Sequence, residues 1–168
     1  MKKILFIIFL LISLPIFAAG GKNHHAALFL GATSGTYSEG HTYFTVGLEY
    51  EYMFLQTKPI IGIGLIAEMV MADHSETVLA LPLIVHPYLG FKFFAAPAII
   101  MYSETIPAST DPWNEKAVTN ESDTEWFVRL GAGYDFHFNQ FSASPLLSVD
   151  FIAGHTYLVY GLSFGIGF

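Results

Sequence analysis

In the stretch HTYFTVGLEYEYMF, apolar bulk and charge are sorted onto opposite parities. Phe44, Val46, Leu48, Tyr50, Tyr52 and Phe54 fall on even positions, and His41, Thr45, Gly47, Glu49 and Glu51 on odd ones. A period of two is the signature of a β-strand, because successive side chains point to opposite faces of a sheet. The rule recurs in EWFVRLGAGYDFHF, where Trp126, Val128, Leu130, Tyr134, Phe136 and Phe138 oppose Glu125, Arg129, Gly131, Gly133, Asp135 and His137. It recurs again in QFSASPLLSVDFIA, and in YLVYGLSFGIGF, where Leu158, Tyr160, Leu162, Phe164, Ile166 and Phe168 face away from Gly161, Ser163, Gly165 and Gly167. Such a chain forms a sheet with one apolar face and one small or polar face.

Read through to its end, the pattern predicts eight strands at 24–34, 41–54, 58–72, 76–86, 89–102, 124–138, 140–153 and 155–168. Short turns near Gln56, Pro87 and Asn139 alternate with connections at 35–40, Asp73-His74-Ser75, Ala153-Gly154 and a long acidic loop at 104–123. The interior of an eight-stranded barrel is only just wide enough for side chains to fill. It cannot hold the bulky parity of every strand, so that parity faces outward, toward lipid. With 53% hydrophobic and only 12% charged residues, the expected fold is all-β: an eight-stranded antiparallel up-and-down transmembrane β-barrel. A soluble barrel of the lipocalin kind would bury the apolar parity and expose the charged one. A membrane helix over 78–101 is opposed by Pro82, Pro87 and Pro97, each of which removes a helix hydrogen bond.

The opening stretch MKKILFIIFLLISLPIFAAGG has Lys2 and Lys3, an apolar run, and then small residues, the order of a secretory signal peptide. Residues 1–19 are read as that cleaved peptide and 20–168 as the barrel domain. The chain has no cysteine, which excludes a disulfide framework, a thiolate nucleophile and a lipid-bearing cysteine. A formal net charge of -7 argues against a nucleic-acid partner, since phosphate contacts need clustered Lys and Arg.

The whole predicted architecture resembles the small eight-stranded outer-membrane barrels of Gram-negative bacteria, a group that includes the OmpA transmembrane domain, OmpX, OmpW and the lipid A palmitoyltransferase. The motif that carries the likeness is the last strand, Tyr160-Gly161-Leu162-Ser163-Phe164-Gly165-Ile166-Gly167-Phe168. In that group a closing strand with a terminal aromatic is read by the barrel assembly machinery. The resemblance therefore implies residence in the cell outer membrane and contact with its lipids and lipopolysaccharide. The assembly machinery is implied as a further partner, through Phe168.

The charged parity defines the candidate lumen: Glu49, Glu51, Glu68, Lys92, Glu125, Arg129, Asp135, His137 and Asp150. Isolated ions in so narrow a space are costly, so they are expected to pair or to be wetted. Counting from the short-turn end sets Lys92 beside Asp135, with Glu49, Glu51 and His137 in the same lower layer, and sets Arg129 beside Asp150 near the level of Glu68. A second candidate surface is an apolar wall toward the outer half, made by Ile66, Val70, Val78, Ile84, Ile100 and Tyr102. Pro82, Pro97 and Pro145 cannot donate to a ladder and mark either bulges or a lateral gap.

Three functions fit these features. The first is a structural or small-ligand-binding membrane barrel with a mostly plugged polar lumen and no catalysis. The second is a narrow channel for small apolar molecules with lateral exit, and the third is a lipid A-modifying enzyme. His74-Ser75 has the residue types for the third, but adjacency in sequence is not triad geometry. His24-His25 lacks a matching third ligand in the sequence, and no metal or cofactor is expected. The acidic loop is expected to be a solvated segment.

Overall fold

In the computed structural model, which describes residues 23–35, 41–72, 75–88, 90–105 and 120–168, the alternating stretches form one closed antiparallel sheet. Its strands are β1 (His24–Gly35), β2 (Thr42–Leu55), β3 (Ile60–Met71), β4 (Ser75–Ala80), β5 (Leu83–His86), β6 (Phe91–Thr105), β7 (Asn120–Tyr134), β8 (Phe136–Phe138), β9 (Phe141–Ile152) and β10 (His155–Gly167). β4 and β5 are two parts of one stave, since both lie between β3 and β6, and β7 and β8 both pair with β9. The ten segments thus make eight staves of a closed barrel. The seam is β1 against β10, in register from His25↔Gly167 to Gly35↔Tyr157. Beyond it, the His24 N–H donates to the Phe168 carbonyl at 2.9 Å and the Phe168 N–H to that of His24 at 2.8 Å.

Each interruption has a local cause. Pro82 has no N–H to give, so the regular ladder lapses at Leu81-Pro82, yet the stave stays bonded on both sides. The Leu81 N–H reaches the Pro97 carbonyl at 3.1 Å, and the Pro82 carbonyl accepts from Gly64 at 2.9 Å. At the other break the Asp135 N–H bonds the Gly90 carbonyl at 2.7 Å. Pro97 and Pro145 face outward, and each lies in an unbroken register on one side, opposite Val128 and Leu162. On the other side the Pro97 carbonyl accepts from the Leu81 N–H, whereas Pro145 falls at the step between the two parts of the β7–β8 stave, where pairing passes from Gly133↔Leu146 to Phe136↔Ala143. The stretch 78–101, a membrane helix by hydropathy alone, is divided among β4, β5 and β6. The hairpin of β6 and β7 also runs further than its acidic sequence suggests, with Glu104↔Glu121 and Thr105↔Asn120 paired. Residues 106–119 of that loop, the 1–19 segment and Asp73-His74 lie outside the described residues.

The outer face carries the bulky parity. Leu48, Phe93, Leu147 and Phe164 are exposed, and Trp126 is 77% exposed. A continuous belt of this composition suits hydrocarbon rather than water. Rings gather at the short-turn end: Phe91 packs edge-on against Tyr134 at 5.0 Å, Tyr134 lies 4.8 Å from Phe136, and Phe168 stacks on His24 at 5.7 Å. Rings at that level form the aromatic girdle of a membrane barrel, with an apolar body toward lipid and a polar tip toward water.

The inner face is packed. Phe29 is completely buried, and its ring fits because the inward positions beside it, Gly31 and Gly161, are glycines paired directly across the seam. The same relation holds for Phe94, which lies over Gly131. Glycine here makes room for a ring inside a tube too narrow for large residues at every inward position.

Candidate functional site

The lumen holds two ionic clusters. In the upper one, Arg129 on β7 donates from Nε and Nη2 to the two oxygens of Asp150 at 2.6 and 2.8 Å, and from Nη1 to Glu68 Oε2 at 2.6 Å. A guanidinium presents its donors in a planar fork, so one side chain can engage two carboxylates on different staves. In the lower cluster, Lys92 Nζ lies 2.7 Å from Glu51 Oε1 and 3.8 Å from Glu49 Oε2, and Glu49 also accepts from Ser163 Oγ at 3.0 Å. All seven charged residues, the partners of Arg129 and Lys92 together with Asp135, are buried.

The fold fixes these meetings through register. Arg129 faces Asp150 across the β7–β9 ladder, and Glu68 opposes Gly47 on β2, two positions above Glu49. Phe29 separates the layers. It faces Gly47, the residue across from Glu68, on one side and Ser163, the donor to Glu49, on the other. A void of about 10 Å³ among Glu49, Glu51, Lys92, Phe94 and Leu146 lies below it, and one of about 50 Å³ beside Arg129, Tyr102 and Tyr157 lies above. The short-turn mouth opens into a larger space, a cavity of about 420 Å³ whose lining includes His25, Glu51, Met53, Ile60, His86, Asp135 and Gln140.

Several expected positions need correction. His137 is exposed at the mouth rather than packed in the lower layer, because its segment β8 is the exposed end of its stave. Asp135 lies in the layer of Lys92 and acts on its charge, but its direct contacts are on β9 and β5: it accepts from Ser144 Oγ at 2.5 Å and faces His86 Nδ1 at 3.4 Å. Glu125 belongs to neither cluster; it is half-buried near the outer end, where it accepts from the Tyr102 hydroxyl at 3.3 Å. Ile66, Val70, Val78 and Ile100 are buried in the interior, with Tyr102 partly buried against the same packing. Ile84 belongs to the same buried cluster as Ile66, Val78 and Ile100, at its lower edge: β5 pairs with Ile60–Ile63 near the short-turn end, which also sets it beside Glu51 and Lys92.

The largest omission is His86. Its Nε2 lies 3.6 Å from Glu51 and its Nδ1 3.4 Å from Asp135, bridging carboxylates on two other staves. Even parity from Val78 through Ala80, Pro82 and Ile84 points to it, but the neighbouring Pro87 makes it read as a turn. Both members of the His24-His25 pair have side-chain partners. His25 Nε2 meets Ser142 Oγ at 2.7 Å, and His24 Nδ1 meets the Tyr50 hydroxyl at 2.7 Å on the outside. Among the described residues, no three His, Asp or Glu side chains converge as metal ligands.

No protein-family model matches the chain, and no curated protein matches it. Among solved structures it is similar to the N-terminal β-barrel domain of Pseudomonas aeruginosa OprF, with 16% identity, a TM-score of 0.58, and coverage of 89% of this chain and 100% of that one. It is similar to Ail, the attachment invasion locus protein of Yersinia pestis, with 10% identity, a TM-score of 0.55, and coverage of 86% and 97%. Neisserial surface protein A matches with 5% identity, a TM-score of 0.56, and coverage of 87% and 97%. Identities this low establish fold alone, and the fold is that of the small eight-stranded outer-membrane barrels.

Proposed function

We propose that this chain is an integral outer-membrane barrel whose lumen is a plug rather than a pore, with a structural or small-ligand-binding role and no catalysis. The observation that carries the reading is the filled section between the two mouths. Arg129, Phe29 and Lys92 are each at most 2% exposed, and the void nearest Lys92 is about 10 Å³. Ions cannot cross such a section without breaking buried, charge-assisted hydrogen bonds, which are strong where water is excluded. The apolar belt and the ring-rich short-turn end support a seat in the outer membrane, against its lipids and lipopolysaccharide. The final strand, closed against β1 and ending in Phe168, is the segment that the assembly machinery would engage. Passage with lateral exit has less support, because the ladder is bonded on both sides of Pro82.

Osmotic swelling of proteoliposomes tests the plug. Vesicles carrying the refolded barrel are expected to swell in small sugars and salts no faster than empty vesicles. Swelling that rises with protein content would overturn the reading.

A further inference from the structure

The short-turn mouth combines three features that together select a ligand. The first is a deficit of positive charge. The lower cluster sets Lys92 against Glu49, Glu51 and Asp135, all buried. The second is a pair of weakly served carboxylate oxygens. Glu51 Oε2 and Asp135 Oδ2 both look to one imidazole, His86, at 3.6 and 3.4 Å. These separations are long for charge-assisted hydrogen bonds, which close to about 2.7–2.9 Å, and His86 Nε2 has no hydrogen-bond partner. The third is space: the cavity of about 420 Å³ borders Glu51, His86 and Asp135 and is walled on one side by Met53 and Ile60.

A bare metal ion does not suit this geometry, since no three ligating side chains converge among the described residues. The volume falls within the range of about 300–1,000 Å³ typical of small-molecule sites. An ammonium group has three donors and one positive charge, which answers both the weakly served oxygens and the deficit. An alkyl body would then lie along Met53 and Ile60. We propose that the short-turn mouth binds a small aliphatic amine, its ammonium held between Glu51 and Asp135 and its chain on the Met53–Ile60 wall. This rests on the reading of the lumen as filled above that level, so that the cavity is a closed-ended site rather than the entrance of a pore.

The test is backbone NMR of the isotope-labelled barrel in lipid nanodiscs, titrated with n-hexylamine hydrochloride at constant ionic strength. Saturable shifts confined to the neighbourhood of Met53, Ile60 and Gln140 are expected. Affinity should fall by at least about tenfold in Asp135→Asn, because a charge-assisted contact is lost. Ile60→Trp, which fills the cavity and leaves every charge in place, should weaken binding similarly. Folding of each variant is checked by the change in gel mobility on boiling, and Ile60→Trp carries the test if Asp135→Asn does not fold. Equal shifts with n-hexanol would overturn the proposal in favour of simple apolar partition. Equal shifts with ammonium chloride alone would overturn it in favour of an inorganic cation, and no saturable shift would overturn it outright. Conductance of the same barrel is measured separately, so failure of the filled-lumen reading is distinguishable from failure of the amine site.

Discussion

Arg129 and Asp150 face each other on one register line of the β7–β9 ladder and share two hydrogen bonds, Nε to Oδ1 at 2.6 Å and Nη2 to Oδ2 at 2.8 Å. The third bond of Arg129, to Glu68 on β3, spans the lumen to a stave that is not a sheet neighbour of β7. One side chain therefore ties distant parts of the wall together.

Arg129→Met leaves Glu68 and Asp150 buried without their cation. Breaking a buried ion pair by removing one partner costs about 3–5 kcal/mol, and the urea unfolding midpoint of the refolded barrel should fall accordingly. Neutralising Glu68 and Asp150 as amides in the same background should recover much of the loss. An unchanged midpoint in the single variant would show that the cluster does not stabilise the barrel.

Lys92 contacts Glu51 at 2.7 Å and Glu49 at 3.8 Å. A double-mutant cycle of Lys92→Met with Glu51→Gln should therefore give the larger coupling, on the order of 1–3 kcal/mol, and the cycle with Glu49→Gln the smaller. Equal couplings from unfolding titrations would mean that Lys92 sits evenly between the two.

A methyl group added at Gly161 would lie against the Leu30 carbonyl and 2.5 Å from the Cα of Gly31, with Phe29 Cε2 at 2.9 Å. Two of these neighbours are backbone, so relief requires the seam to shift. Gly161→Ala should destabilise the barrel by about 1–3 kcal/mol, measured by the same unfolding titration, and a neutral result would show that the seam is looser than its register implies.

The turn joining β9 to β10 consists of two residues, Ala153 with φ 47° and Gly154 with φ 83°. Positive φ at both central positions is the type I′ pattern, which favours Asn-Gly. Ala153 carries a Cβ in the left-handed region, where L residues are disfavoured by roughly 1–2 kcal/mol. Ala153→Asn should raise the unfolding midpoint, and a fall would mean that the turn tolerates alanine for a reason beyond its backbone angles.

Strand parity was legible because the solvent changes sign across the wall: bulky apolar residues face out at every second position, and Glu49, Glu68, Arg129 and Asp150 follow the other parity without exception. Pairing across the lumen was less legible, because strand tilt offsets the heights obtained by counting from the turns. Asp135, counted level with Lys92, shares its layer but makes its direct contacts with Ser144 and His86. Phe29 and Phe94 were illegible as interior residues, since an aromatic on the inward parity fits only if a glycine such as Gly31 or Gly131 lies beside it. That is a property of two staves, which alternation within one stave does not record.

The filled lumen is tested most directly by single-channel current across a planar bilayer into which the refolded barrel has been inserted. The account predicts no discrete conductance steps from the wild-type barrel. Phe29→Ala combined with Arg129→Ser, which removes the two largest fully buried side chains, is predicted to introduce them. Stable, reproducible steps from the wild-type protein would contradict it and make the acid-rich interior a cation path.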